Sequence, residues 1–246
     1  LFRGGAYHKL TFSMMYYPEE NYLLPLSHDE VVHGKATIAQ KMHGEYDQKF
    51  PQARALAMYM YAHPGKKLNF MGNELGQLRE WDEKRELDWD ILKYPIHDSF
   101  QRFMKELNLL YLKHPAFWKW DYRSEGFRWI DCHQDSRCIY AMERSSGDEK
   151  IIAVFNFSGI EQKDYFFKTE EGIYDILLSS NWDIYGGTEK KKKSIRTKIG
   201  GLHLDLPAES AVYLKKHVTA PRKPSVSERQ KTALAKQTLS TKKTKK

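Results

Sequence analysis

Leu24-Pro25-Leu26-Ser27-His28-Asp29-Glu30 is the stretch on which the fold turns. An apolar run from Asn21 to Leu26 breaks abruptly into polar residues. A buried strand ends in this way when it delivers side chains to a site. Downstream, residues 51–63 carry Ala53, Leu56, Ala57, Met60 and Tyr61 at i, i+3, i+4, i+7, i+8 spacing. That spacing predicts an amphipathic helix, with Pro51 near its first turn and His63-Pro64-Gly65 at its end. Lys67-Leu68-Asn69-Phe70-Met71-Gly72 then reads as a second short strand ending at Asn73-Glu74. Strand, helix and strand in that order predict a βαβ unit with parallel neighbours. Upstream, the aromatic-rich Leu10–Tyr17 reads as a short helix or a buried connector.

Further along, residues 75–90 are loop-like, charged, and carry Trp81 and Trp89. Residues 98–113 predict another helix, with Phe100, Phe103, Met104, Leu107, Leu110 and Tyr111 on one face and His114-Pro115 as its stop. After Pro115 the period changes. Strands are expected at 127–130, 138–144, 151–157, 163–167, 172–178, 201–206 and 210–214, separated by turn clusters such as Ser145-Ser146-Gly147-Asp148. Regular strands with no helix between them predict an antiparallel β-sandwich, with a boundary near residues 115–120.

The composition, 41% hydrophobic and 13% aromatic over 246 residues, suits a folded protein. No apolar run reaches the ~18 residues of a membrane span, and no membrane partner is expected. Leu1-Phe2-Arg3-Gly4-Gly5 reads as a cut end. The two cysteines, Cys132 and Cys138, are too few for a disulfide framework and show no metal-ligand spacing; they read as free thiols of a cytoplasmic protein. The net charge of +8 belongs to the tail: residues 217–246 hold nine Lys/Arg against Glu228 alone, and the rest is neutral. No nucleic-acid partner is therefore expected for the folded body. The tail lacks aromatic residues and is expected to be disordered and solvated. Lys190-Lys191-Lys192-Lys193 reads as a solvated hairpin loop.

Two readings of His28-Asp29-Glu30 stand on spacing alone. Asp29 could cap a helix beginning at Glu30. Alternatively, polar residues at strand ends of a β/α barrel form an active site. A carboxylate there can stabilise positive charge developing on a sugar ring, and a histidine can bind sugar hydroxyls more tightly in the transition state.

A wider context separates the two. Leu24 to Lys35, LPLSHDEVVHGK, closely resembles the strand-seven motif of branching enzymes in the alpha-amylase-like superfamily. His63 to Gln77, HPGKKLNFMGNELGQ, resembles the strand-eight region of the same family, continued by Arg79-Glu80-Trp81 and Leu87-Asp88-Trp89. The resemblance covers roughly residues 1–216. It implies α/β plus all-β architecture: the C-terminal part of a (β/α)8 TIM barrel at 1–115 (strands seven and eight), an antiparallel β-sandwich domain at 116–216, and a disordered basic tail at 217–246. It implies transfer of an α-1,4-glucan segment to a 6-hydroxyl by retaining double displacement. Asp29 matches the third catalytic carboxylate, a transition-state stabiliser, and His28 the residue that contacts the sugar. Glu30, Glu80 and Trp81 are further candidates for binding the glucan, and Trp89 could stack on a glucose ring. Glu74 fits behind the site, and His33 and Lys35 as residues that orient a loop.

The family's nucleophile and acid/base lie on earlier strands, and nothing upstream of His28 matches either. The chain alone is expected to lack branching activity, and a barrel fragment with open edges is not expected to fold stably by itself. Neither metal nor cofactor is expected, and the protein is expected to be a monomer with α-glucan as its partner. Two other function classes compete: a non-catalytic α-glucan-binding β-sandwich, and a polyanion-binding protein acting through its tail. Glycogen affinity of residues 116–216 alone separates the first of these from the enzyme.

Overall fold

The computed structural model describes residues 3–17 and 19–217. The expected disordered tail lies outside the described residues, apart from His217. Two 3-10 turns, Gly4–Lys9 and Phe12–Met15, precede strand β1 (Leu23–Leu26). The segment expected to be a helix or buried connector is these turns, with Phe12, Met15 and Tyr16 exposed. Helix α1 (Tyr46–Ala62) and strand β2 (Lys66–Asn69) follow. β1 and β2 pair in parallel, from Leu23 opposite Lys66 to Leu26 opposite Asn69. The βαβ unit is thus formed.

β1 is not fully buried as expected, and β2 is no better covered. Leu24 and Leu26 pack on the core, whereas Leu23 (49% exposed) and Leu68 (36%) lie on the outward face. The two strands form a sheet of their own, so only one face finds cover. α1 also starts earlier than the proline suggests. Glu45 and Gln48 form a reciprocal capping box at its N-terminus, and Pro51 lies inside the helix. The box supplies partners for otherwise orphaned N–H groups, and that local gain sets the start.

α1 is buried on nearly every face, from Phe50 to Ala62. Such a helix must lie between two layers. One layer is α2 (Pro95–Lys113), whose Phe100, Phe103, Met104, Leu107 and Leu110 form its buried stripe. The other is a six-stranded antiparallel sheet of order β3-β4-β5-β10-β7-β8. Its strands are β3 (Phe127–Gln134), β4 (Ile139–Ser146), β5 (Glu149–Asn156), β7 (Ile173–Ser179), β8 (Ser194–Arg196) and β10 (Ser210–Lys216). β6 (Gln162–Lys168) and β9 (Gly201–Leu206) pair as a separate antiparallel ribbon.

Successive residues of a strand point to opposite faces, and here both faces are buried. Tyr140, Met142, Ile151, Ala153, Phe155, Ala211 and Tyr213 belong to the core shared with the helices. Ile139, Ala141, Ile152, Val154 and Leu214 meet Tyr165, Phe167, Leu202, Leu204 and Leu206 of the ribbon in a second core. The sheet therefore lies between the helices and the ribbon, and residues 3–216 form one compact unit. No described helix is long and apolar enough to cross a membrane.

Candidate functional site

The parallel pairing brings the ends of β1 and β2 side by side. Phe70 N donates to Leu26 O at 2.9 Å, and Asn73 Nδ2 donates to the same carbonyl at 3.3 Å. Immediately beyond Leu26 the chain turns through a single 3-10 turn, His28–Glu30. Ser27 makes no side-chain cap to this turn, and no α-helix begins at Glu30. The helix-cap reading of Asp29 therefore finds no helix to cap.

The turn holds its polar side chains in solvent. His28 Nε2 lies 3.3 Å from Asp29 Oδ1, and the two side chains are 53% and 71% exposed. Behind His28 stand two aromatic rings. Phe70 is 5.8 Å from it and Trp81 6.1 Å, and the two meet edge to face at 5.2 Å. Two rings backing an imidazole restrict its rotation without taking its hydrogen-bonding nitrogens. His28, Asp29 and Trp81 are thus brought together. Phe70 joins them unforeseen, because a strand-end aromatic ordinarily reads as packing.

Glu30 points elsewhere: its Oε2 pairs with Lys41 Nζ at 3.2 Å. Lys41 also donates to Glu30 O, and Lys35 Nζ donates to Asp29 O at 2.7 Å. A short turn leaves its last carbonyls without partners, and these two ammonium groups supply them. Lys35 behaves as a loop-orienting residue. Lys41 left no trace in the pattern, since its contact closes an irregular loop.

That loop is strained. His33 and Ala36 have φ values of 58° and 63°, a left-handed conformation that costs an L side chain about 1–2 kcal/mol per residue. Glu80 stands against it. Its Oε2 accepts from Gly34 N at 3.0 Å and its Oε1 from Ala36 N at 2.7 Å. These two backbone donors hold the Glu80 carboxyl below the usual carboxylate range. Trp81 N donates to Val31 O at 3.0 Å. Arg79 is fixed in turn by Asp88 at 2.8 Å. Glu74 accepts from Gly72 N at 2.9 Å, inside its own turn. Trp89 is 48% exposed.

Residues 129–217 match the family model of the alpha amylase C-terminal all-beta domain. The 1,4-alpha-glucan branching enzyme GlgB of Aquifex aeolicus is 42% identical over 226 residues, covering 87% of this chain and 36% of that protein.

The chain belongs to the 1,4-alpha-glucan branching enzyme family.

Two other branching enzymes agree. That of Oceanobacillus iheyensis is 45% identical over 76% of this chain and 30% of its own length. That of Nitrosococcus oceani is 36% identical over 92% of this chain and 32% of its own length. The chain spans about a third of the length of the curated relatives it matches. In this branching-enzyme chain the matched all-β region begins at Trp129 and takes in the sheet from within β3 together with the β6–β9 ribbon.

Proposed function

We propose that the full-length protein transfers a segment of an α-1,4-glucan to a 6-hydroxyl, making α-1,6 branches in glycogen biosynthesis. The observation that carries this is the exposed His28–Asp29 pair at the end of a parallel strand, beside its partner strand's end, in a chain 42% identical to a branching enzyme. On this reading β1-α1-β2 is the closing part of a (β/α)8 barrel within residues 1–115, followed by the β domain of residues 116–216.

Retaining transfer between glucans passes through an oxocarbenium-like transition state. Asp29, its side chain in reach of solvent, is proposed as the carboxylate that lowers the energy of that charge. His28, backed by Phe70 and Trp81, offers a ring nitrogen to a sugar hydroxyl. Trp81, beside His28, and Glu30, half exposed next to Asp29 although paired with Lys41, are proposed as glucan contacts. Double displacement also needs a nucleophile and an acid/base, and Asp29 is proposed as neither. The chemistry needs carboxylates and neither metal nor cofactor. The partner is α-glucan, acted on by a monomer in the cytoplasm, whose reducing conditions suit the free thiols Cys132 and Cys138.

The test is Asp29→Ala in the full-length protein, assayed on amylose by the appearance of α-1,6 linkages. Branching should fall at least ~100-fold with circular dichroism and melting temperature unchanged. Near-normal branching would overturn the role of Asp29.

A further inference from the structure

The loop after the His28–Glu30 turn is held from outside itself. His33 and Ala36 are in the left-handed region, with Gly34, at φ 77°, between them. Inside the loop, Lys35 N donates to Val32 O at 3.2 Å. The left-handed residues themselves are gripped from the segment beyond β2, 44 to 46 residues further along. Both oxygens of Glu80 are used, one on Gly34 N and one on Ala36 N. The next residue adds a third bond, from Trp81 N to Val31 O. Two consecutive residues thus grip the loop at three points.

The residue between the two Glu80 anchors is Lys35, and its Nζ reaches back 2.7 Å to Asp29 O. A continuous chain of contacts runs from Glu80, through the Gly34 and Ala36 amides, through Lys35, to the backbone of Asp29. Where Lys35 can send its ammonium depends on the φ values that Glu80 holds.

We propose that Glu80 is a positioning residue for Asp29: it holds residues 33–36 in their strained conformation, from which Lys35 fixes the turn that carries Asp29, and it does this instead of contacting the glucan. The inference rests on the branching function proposed above for its catalytic consequence, but not for the clamp itself. A glucan contact requires an oxygen turned toward the sugar. Here each oxygen is directed at a backbone donor, and removing the carboxylate would strand two of them.

The experiment uses the full-length protein and compares Glu80→Ala, Glu80→Gln and the pair Ala36→Gly with Glu80→Ala. It follows hydrogen exchange of the 31–36 amides together with kcat and KM on amylose. In Glu80→Ala the Gly34 and Ala36 amides should exchange at least ~10-fold faster, and kcat should fall by about the same factor while KM changes less than about threefold. Glu80→Gln keeps one accepting oxygen and should fall between. Adding Ala36→Gly removes one strained side chain and should return roughly threefold or more of the lost kcat. If Glu80→Ala does not fold, Glu80→Gln carries the comparison: faster exchange at these amides supports the clamp, and unchanged exchange overturns it. A rise in KM with unchanged loop exchange and no rescue by glycine would make Glu80 a glucan contact and overturn the proposal. A wild-type protein inactive on amylose would sink the functional reading, while unchanged exchange in Glu80→Ala would sink the clamp.

Discussion

Asp121 and Arg144 meet at 2.8 Å with both side chains sealed from solvent. The pair is the knot between the βαβ unit and the sheet. Arg144, on β4, also donates to Ala62 O at the end of α1 and to Gly126 O before β3. The second oxygen of Asp121 accepts from Lys66, the first residue of β2, at 2.9 Å. A cation at a helix C-terminus meets its unpaired carbonyls.

Removing one member of such a pair leaves a buried charge alone, which costs ~3–5 kcal/mol. Asp121→Ala should lower unfolding free energy by about that much, as measured by urea denaturation of the full-length protein. A loss below ~1 kcal/mol would mean that solvent reaches the pair, as at a surface bridge.

His63, just after α1, predicts an acid limb. It is buried, and burial pushes its pKa down to about 4, with Lys67 and Arg144 adding to the effect. Neutral His63 is fully served: one ring nitrogen is 2.8 Å from Ser13 Oγ and the other 2.7 Å from Pro64 O. The unfolded chain, with a pKa near 6.5, takes up the proton first. Stability from this group is therefore whole above about 6.5 and lost as pH falls toward 4, by roughly 3 kcal/mol in all. Urea midpoints at pH 7 and pH 4.5 should differ less in His63→Gln than in the wild type, and an equal difference would refute this.

Gly126 marks a close approach rather than a special dihedral. A Cβ there would lie 2.0 Å from Trp120 O. The obstacle is backbone, which cannot swing aside, so Gly126→Ala should destabilise by ~2–3 kcal/mol or more. Gly159 has open space around it, and Gly159→Ala should stay within about 0.5 kcal/mol. Denaturation of the two variants side by side is the check.

Features set by neighbours in sequence were legible. The stripe from Phe100 to Leu110, the βαβ order and seven of the antiparallel strands follow from periodicity and turn residues. β8 was not legible, because Ser194–Arg196 is a strand only through its pairing with β7. The start of α1 was missed because a proline is a louder signal than Glu45 and Gln48, whose reciprocal bonds need three-dimensional closure. At the candidate site, the motif pointed to His28, Asp29 and Trp81, which the structure brings together. The attachment of Glu80 to the Gly34 and Ala36 amides, and of Lys41 to Glu30, joins residues 11 to 46 positions apart. No local period records such contacts.

The middle sheet imposes a phase on the chain. Along β4, β5 and β10, odd and even positions serve different cores. Deleting one residue within β4 would send Tyr140 and Met142 toward the ribbon and Ile139 and Ala141 toward the helices, mismatching side-chain volume on both sides at once. A sheet solvated on one face can hide half of that error in water. This one cannot. Changes of length in this part of the chain are therefore expected in its turns, such as Gly147-Asp148 between β4 and β5, rather than within β4 or β5.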